Sequence, residues 1–206
     1  MTAPLGLTCA SLLSLRPDSW RSAVRCASEN GYTSVWTAET TGAEAFGMLS
    51  GLAADAPGAA LGTGVLALQL RTPQLAAMGA ATLQSLHPDR EILLGVGISS
   101  PVVVEKWHGV TFGSRPIAQT GAYLEIVTAA LQGKVVTVDN DFYRVSRYTL
   151  GLELPERRPR VVLGALNPQM LRLAGRSADG VLLNYLPSAA VPAAVAEVRA
   201  GEAAAG

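Results

Sequence analysis

Short apolar runs rich in β-branched residues alternate along the chain with longer stretches in which apolar positions recur every three or four residues. The runs Leu5–Cys9, Thr33–Ala38, Leu61–Leu70, Ile92–Ile98, Val161–Leu163 and Val181–Asn184 predict strands. The stretches between them predict helices. One opens at Pro17 and Asp18, carries the stripe Trp20, Ala23, Val24 and Ala27, and stops at Gly31. A second covers Glu44–Ala54, ahead of Pro57 and Gly58. A third is capped by Thr72, starts at Pro73 and reaches Leu86. A fourth, Ile117–Leu131, buries Tyr123, Ile126, Val127 and Ala130, with Gly133 behind it. An Ala-rich helix follows Ser188, and the end from 200 to 206 is expected to fray.

Strands that alternate with helices form right-handed βαβ units and a parallel sheet. Runs apolar on both faces suit a sheet covered by helices. An open doubly wound sheet and a β/α barrel both satisfy the pattern. No GxGxxG follows the first strand, which weakens the dinucleotide-binding version. Polar or glycine residues recur at several strand ends (Thr8, Glu39, Gly95 to Ser99, Gly164, Asn184), and a site spread over many strand ends is the habit of barrels. The segment around 134–159 breaks the alternation. Its Asp139-Asn140 reads as a turn between two extended pieces, so it is expected to leave the sheet. The chain, 1–206, is otherwise read as one domain.

Hydrophobic residues make up 49% of the chain and charged residues 16%, which excludes a disordered chain. The formal net charge is zero, so no electrostatic footprint for nucleic acid or an anionic membrane is expected. Cys9 and Cys26 form no CxxC pair, and two histidines are too few for an obvious metal cluster. With no recognisable leader and no long uninterrupted apolar run, the expectation is a cytoplasmic protein with free thiols.

The segment 159–170 (PRVVLGALNPQM) reads as strand, tight turn and capped helix. Gly164 breaks the apolar run, Asn167 is a good N-cap and Pro168 suits the first helical position. Backbone N–H groups at such a turn favour an anion, which makes it either a phosphate site or an ordinary βα turn.

The segments 29–39 (ENGYTSVWTAE), 61–65 (LGTGV), 71–73 (RTP), 81–86 (ATLQSL), 93–97 (LLGVG), 105–109 (EKWHG) and 171–181 (LRLAGRSADGV) resemble, in order, those of the bacterial luciferase-like superfamily. The nearest likeness is to its coenzyme F420-dependent oxidoreductases. The resemblance implies an α/β fold, a TIM (β/α) barrel whose C-terminal mouth binds F420 or, alternatively, FMN. Six predicted strands fall short of the eight of a closed barrel, so the barrel is expected to be truncated after about six βα units. The resemblance also implies a non-proline cis peptide at Gly64-Val65 behind the ring. Thr8, Thr63, Gly97, Ser99, Gly164, Ala165, Asn167 and Pro168 are the further cofactor-binding candidates, with the phosphate at the Asn167-Pro168 turn, where the family commonly has Gly-Pro.

Glu39, Thr40 and His108 are the catalytic candidates. Glu39 either relays a proton or is a solvated strand-end acid. Thr40 stands where some F420-using relatives carry a histidine. His108 is either an acid and substrate contact or a structural loop residue, and Trp107 either stacks on a ligand or fills a loop core. Glu44 reads as a helix-start acid, His87 as a surface residue complementing a helix dipole, and Cys9 as a small core residue. The implied activity is hydride transfer between F420 and a small organic molecule. The alternatives are an FMN-dependent monooxygenase and a shortened flavin-binding protein without turnover. The apolar, weakly charged surface predicts a homodimer.

Overall fold

The computed structural model describes residues 3–206. The core is a parallel sheet built from β1 (Gly6–Thr8), β2 (Ser34–Thr37), β3 (Ala60–Thr63), β5 (Ile92–Gly97), β8 (Arg160–Gly164) and β9 (Gly180–Leu182), paired in that order. A short β4 (Leu66–Ala67) also pairs with β5. Helices α1 (Pro17–Glu29), α2 (Ala45–Leu52), α3 (Pro73–Leu86), α4 (Pro116–Leu131) and α5 (Pro168–Ser177) alternate with the strands and pack along the wall, and α6 (Val191–Ala203) packs on α5.

The local chemistry explains the helix ends. Pro17, Pro73 and Pro168 each occupy a helix start, where the missing N–H costs nothing. Thr72 accepts from Leu75 N at 3.3 Å and Asn167 from Met170 N at 2.9 Å, the capping bonds their side chains suggested. Gly31 and Gly133 end α1 and α4 in left-handed backbone, at φ 79° and 73°. The stripe of α4 is fully buried as predicted.

The sheet curls into an arc of a barrel. A Cβ placed on Gly64 would sit 3.4 Å from Trp36 of β2 and 3.5 Å from Leu182 of β9. In a flat sheet those two strands, four places apart, would be separated by roughly 19 Å. Side chains from distant strands meet over β3 only because the wall bends inward. The structure is thus the truncated β/α barrel expected, with β1 and β9 at the two ends of the strand order.

Three elements depart from the sequence reading. The predicted strand 61–70 divides at the Gly64-Val65 peptide, which is cis. Leu61 pairs with Ile92 but Leu66 pairs with Val96, so one residue between them is looped out like a bulge. The segment 105–109, expected as a loop, starts inside a wide π-helical turn, Val102–Trp107, and Gly109 at φ 68° leads the chain away from it. Helix α6 continues to Ala203, further than the frayed end expected, because it is docked on α5. There a Cβ on Gly175 would collide with the Val198 carbonyl, and one on Gly201 with the Arg172 carbonyl.

The excursion is a hairpin, β6 (Val136–Asp139) and β7 (Arg144–Tyr148), antiparallel and outside the main sheet. Asn140 makes its turn by accepting from Phe142 N and Tyr143 N at 2.9 and 2.8 Å. Tyr143 meets the buried Tyr123 edge-on, ring centroids 6.1 Å apart. Among the described residues no helix is long and apolar enough to cross a membrane, and no cluster of His, Cys, Asp and Glu could hold a metal ion.

The tightest approach in the sheet is between β3 and β5, where a Cβ on Gly95 would run into the Thr63 carbonyl oxygen. Replacing Gly95 by Ala is therefore expected to cost about 1–3 kcal/mol or more, as overpacking does. Urea unfolding measures it, and an unchanged midpoint would contradict this account of the β3–β5 contact.

Candidate functional site

Two clefts open at the C-terminal ends of the strands, where the helix-covered wall presents its loops. The first encloses about 330 Å³. Its floor is the Gly64-Val65 peptide, and its sides come from Gly97, Ile98 and Ser99 after β5, Gly164 to Asn167 after β8, Met170 of α5, and Leu182 and Asn184 at β9. The missing side chains make the space. Cβ atoms on Gly97 and Gly164 would approach the Val65 methyl groups to 3.0 and 3.2 Å. Val65 thus lies between glycines from two different strands, and the volume above it stays open. The start of α5 borders the same space, and an anion there is favoured by the helix dipole.

The second cleft, about 300 Å³, is lined by Glu39 to Glu44, Leu70, Arg71 and His108. Arg71 organises it. Its Nη2 lies 2.7 Å from Glu39 Oε1 and 2.8 Å from Glu44 Oε1. Its guanidinium carbon sits 5.3 Å from the centroid of the Phe46 ring. Glu39 Oε1 also accepts from Ala45 N at 3.2 Å. Glu44 caps α2, accepting from Phe46 N at 3.2 Å and Gly47 N at 2.6 Å. On the other side His108 Nε2 lies 2.7 Å from the carbonyl oxygen of Thr40. A carbonyl only accepts, so Nε2 carries the proton in the neutral ring and Nδ1 is left as an acceptor.

These contacts set the local ionisation. Burial disfavours the charged form of Glu44, but the N–H groups of Gly47 and Phe46 and the Arg71 guanidinium outweigh it, and its carboxyl is held below the usual range. Burial works against the charge of Arg71 as well, yet the bond and charge of Glu39 and then Glu44 raise it. Burial pushes the Cys9 thiol up to about 11, so it stays neutral, in keeping with a core residue.

The sequence candidates divide between these places. Gly64, Val65, Gly97, Ser99, Gly164, Ala165 and Asn167 line the first cleft. Glu39, Thr40 and His108 line the second, although Thr40 and His108 are 68 residues apart in the chain. Thr8, Thr63 and Pro168 line neither. Thr8 accepts from Ala10 N at 3.3 Å. The Thr63 hydroxyl is closed on Gly95, donating to its carbonyl and accepting from its N–H at 2.8 Å each. Pro168 only starts α5. Trp107 is 57% exposed and fills no core. His87 stands at the end of α3, where burial and then the neighbouring Arg90 lower its pKa and disfavour the charged form. Arg71 was missed as a site residue. Its only signals were its place in the RTP segment and just before the capped helix, and its partners lie 27 and 32 positions away.

A model of the luciferase-like monooxygenase family matches residues 6–206. A putative coenzyme F420-dependent oxidoreductase of Mycobacterium tuberculosis is 35% identical over 178 residues, 81% of this chain and 51% of that protein. The 5,10-methylenetetrahydromethanopterin reductase of Archaeoglobus fulgidus is 30% identical over 162 residues, 78% of this chain and 47% of the reductase. The chain spans about half the length of these curated relatives. Among solved structures, an F420-dependent secondary alcohol dehydrogenase in complex with an F420-acetone adduct superposes with a TM-score of 0.88 at 19% identity, over 100% of this chain and 65% of that one. At that identity the likeness is one of fold.

The depressed carboxyl of Glu44 gives a pH prediction. Its stabilisation is complete above its ordinary value of 4.5 and is lost as pH falls through the lower folded value. Glu44→Gln removes that contribution, so the variant should melt lower than the parent at neutral pH and show a shallower acid-side decline. Melting temperatures across that range check it, and parallel curves for the two proteins would refute it.

Proposed function

The chain belongs to the luciferase-like monooxygenase family, and on that premise we propose that it is an oxidoreductase moving a hydride between coenzyme F420 and a small organic molecule. The observation that carries this is the first cleft. It is concave, floored by backbone and bordered by a helix start, and about 330 Å³ is within the range of small-molecule sites. The absence of Cβ atoms at Gly97 and Gly164 lets a flat ring approach the floor. Gly64, Val65, Gly97, Ser99, Gly164 and Ala165 would hold the ring and Asn167 the phosphate end. When bound, a deazaflavin supplies the hydride-carrying carbon. Curated relatives named for F420 support this cofactor over FMN.

The chain's own residues then have distinct tasks. The apolar side chains of Ile98, Met170 and Leu182 exclude water from one side of the cleft. Glu39, Thr40 and His108 take the catalytic positions in the second cleft, where the Glu39 carboxylate and His108 Nδ1 can accept a proton from a substrate. Arg71 holds Glu39 in place. In this reading the protein works in the cytoplasm, where its two free thiols stay reduced, and pairs as a homodimer.

Titration with F420, followed by its visible absorbance, tests the cofactor. Saturable binding tighter than that of FMN is expected, and tighter FMN binding would turn the assignment to a flavin monooxygenase. Asn167→Asp separates capping from binding: aspartate still caps α5 but sets a negative charge against the phosphate. Its melting temperature should stay within a degree or two while F420 affinity falls at least tenfold. Light scattering should give twice the chain mass, and a monodisperse monomer would rule out the dimer.

A further inference from the structure

We infer, given the reading of the first cleft above, that Thr63 is a positioning residue for the cofactor: its hydroxyl holds the Gly64-Val65 floor in place without touching the ring.

The strand register leaves a gap beneath that floor. The wall pairs Gly62 with Leu93 and next Leu66 with Val96. Between those pairs Thr63, Gly64 and Val65 face only Leu94 and Gly95, so the ladder is interrupted where Gly95 lies. Gly95 is buried, and a buried N–H or C=O left without a partner is costly. The Thr63 side chain answers both groups. Its hydroxyl accepts from Gly95 N and donates to Gly95 O, at 2.8 Å each. A hydroxyl suits this task because it is donor and acceptor at once. The strands close this far because residue 95 has no Cβ, which would strike the Thr63 carbonyl oxygen.

The next residue is tied the other way. Gly64 N–H donates to the Thr37 carbonyl of β2. The floor is thus slung between β2 and β5, and the Thr63 hydroxyl makes the β5 attachment. Val65 is seated on bare backbone. Cβ atoms on Gly95, Gly97 and Gly164 would lie 3.4, 3.0 and 3.2 Å from its methyl groups. A displacement of 63–65 therefore moves those methyls within the space a ring needs. Thr63 itself is 1% exposed and its one hydroxyl proton is engaged by Gly95, so it acts through the floor and not by contact.

Two substitutions separate the hydroxyl from the shape of the side chain. Thr63→Val keeps the branch and leaves Gly95 unpaired, whereas Thr63→Ser keeps the hydroxyl and loses the methyl. The test uses the whole chain with its valine methyls labelled with carbon-13. Without cofactor, Thr63→Val should shift the Val65 signals while those of Val24 and Val198, elsewhere in the core, stay in place. Thr63→Ser should leave all three unchanged. With F420 added, the affinity of Thr63→Val should fall about tenfold or more and that of Thr63→Ser should stay within about threefold of the parent. Should Thr63→Val fail to fold, Thr63→Cys, whose thiol is only a weak donor, is read in its place. Lower melting with unmoved Val65 methyls would reduce Thr63 to a strand lock and overturn the proposal. A serine variant that behaves like the valine one overturns it too, as does unchanged F420 affinity despite displaced methyls. Displaced methyls in a protein whose parent does not bind F420 would support the hold on the floor and overturn the cofactor reading instead.

Discussion

One large side chain packs into the bend of the wall. Trp36 lies across the inner face of β1, β2 and β3, and it can do so because the flanking strands offer Gly6 and Gly62. A Cβ at either glycine would fall onto the indole, whose own N–H is bonded to Ser34 at 2.9 Å. The indole therefore rests on bare backbone. Gly64, the next inner position, touches both Trp36 and Leu182 in the same way. Large on small across facing positions is how a tightly curled parallel sheet fills its inside without a void.

The two clefts inherit their positions from that arc. The first exists because β5 and β8 finish in glycines, and Gly64 follows β3, around Val65. The second exists because the chain after β2 is held from two sides, by Arg71 following β4 and by His108 following β5. Neither cleft belongs to one element. Each is a set of strand ends brought level by parallel register, which is why the C-terminal face of such a wall is where chemistry gathers. The half-buried pair between Arg71 and Glu39 also differs from the chain's exposed ion pairs, such as Arg144 with Asp139. Exposed pairs contribute little, whereas a pair sheltered beside an aromatic ring fixes its carboxylate in one orientation.

Much of this was legible from the order of residues alone. Alternating periods of two and 3.6, together with proline and threonine or asparagine at helix starts, place nearly every helix and the parallel sheet. Local chemistry also located the α5 start at Asn167-Pro168 and the Asn140 turn. The resemblance carried by short motifs pointed to Gly64-Val65 and to the glycines around it. What could not be read was any contact whose partner is far along the chain. Thr63 was a cofactor-binding candidate through the resemblance, but its hydroxyl is closed on Gly95. Arg71 stood only within the RTP segment of the resemblance, but it is the hub of the second cleft.

The division has a physical cause. Capping, turn formation and amphipathic periodicity act over a few residues, so the amino-acid order by itself determined the elements, their ends and the parallel α/β class. The direction a strand-end side chain takes depends on which neighbours the curl brings within bonding distance. Only the tertiary structure could decide that Thr63 locks two strands together, that Arg71 joins Glu39 to Glu44, and that His108 reaches the carbonyl of Thr40.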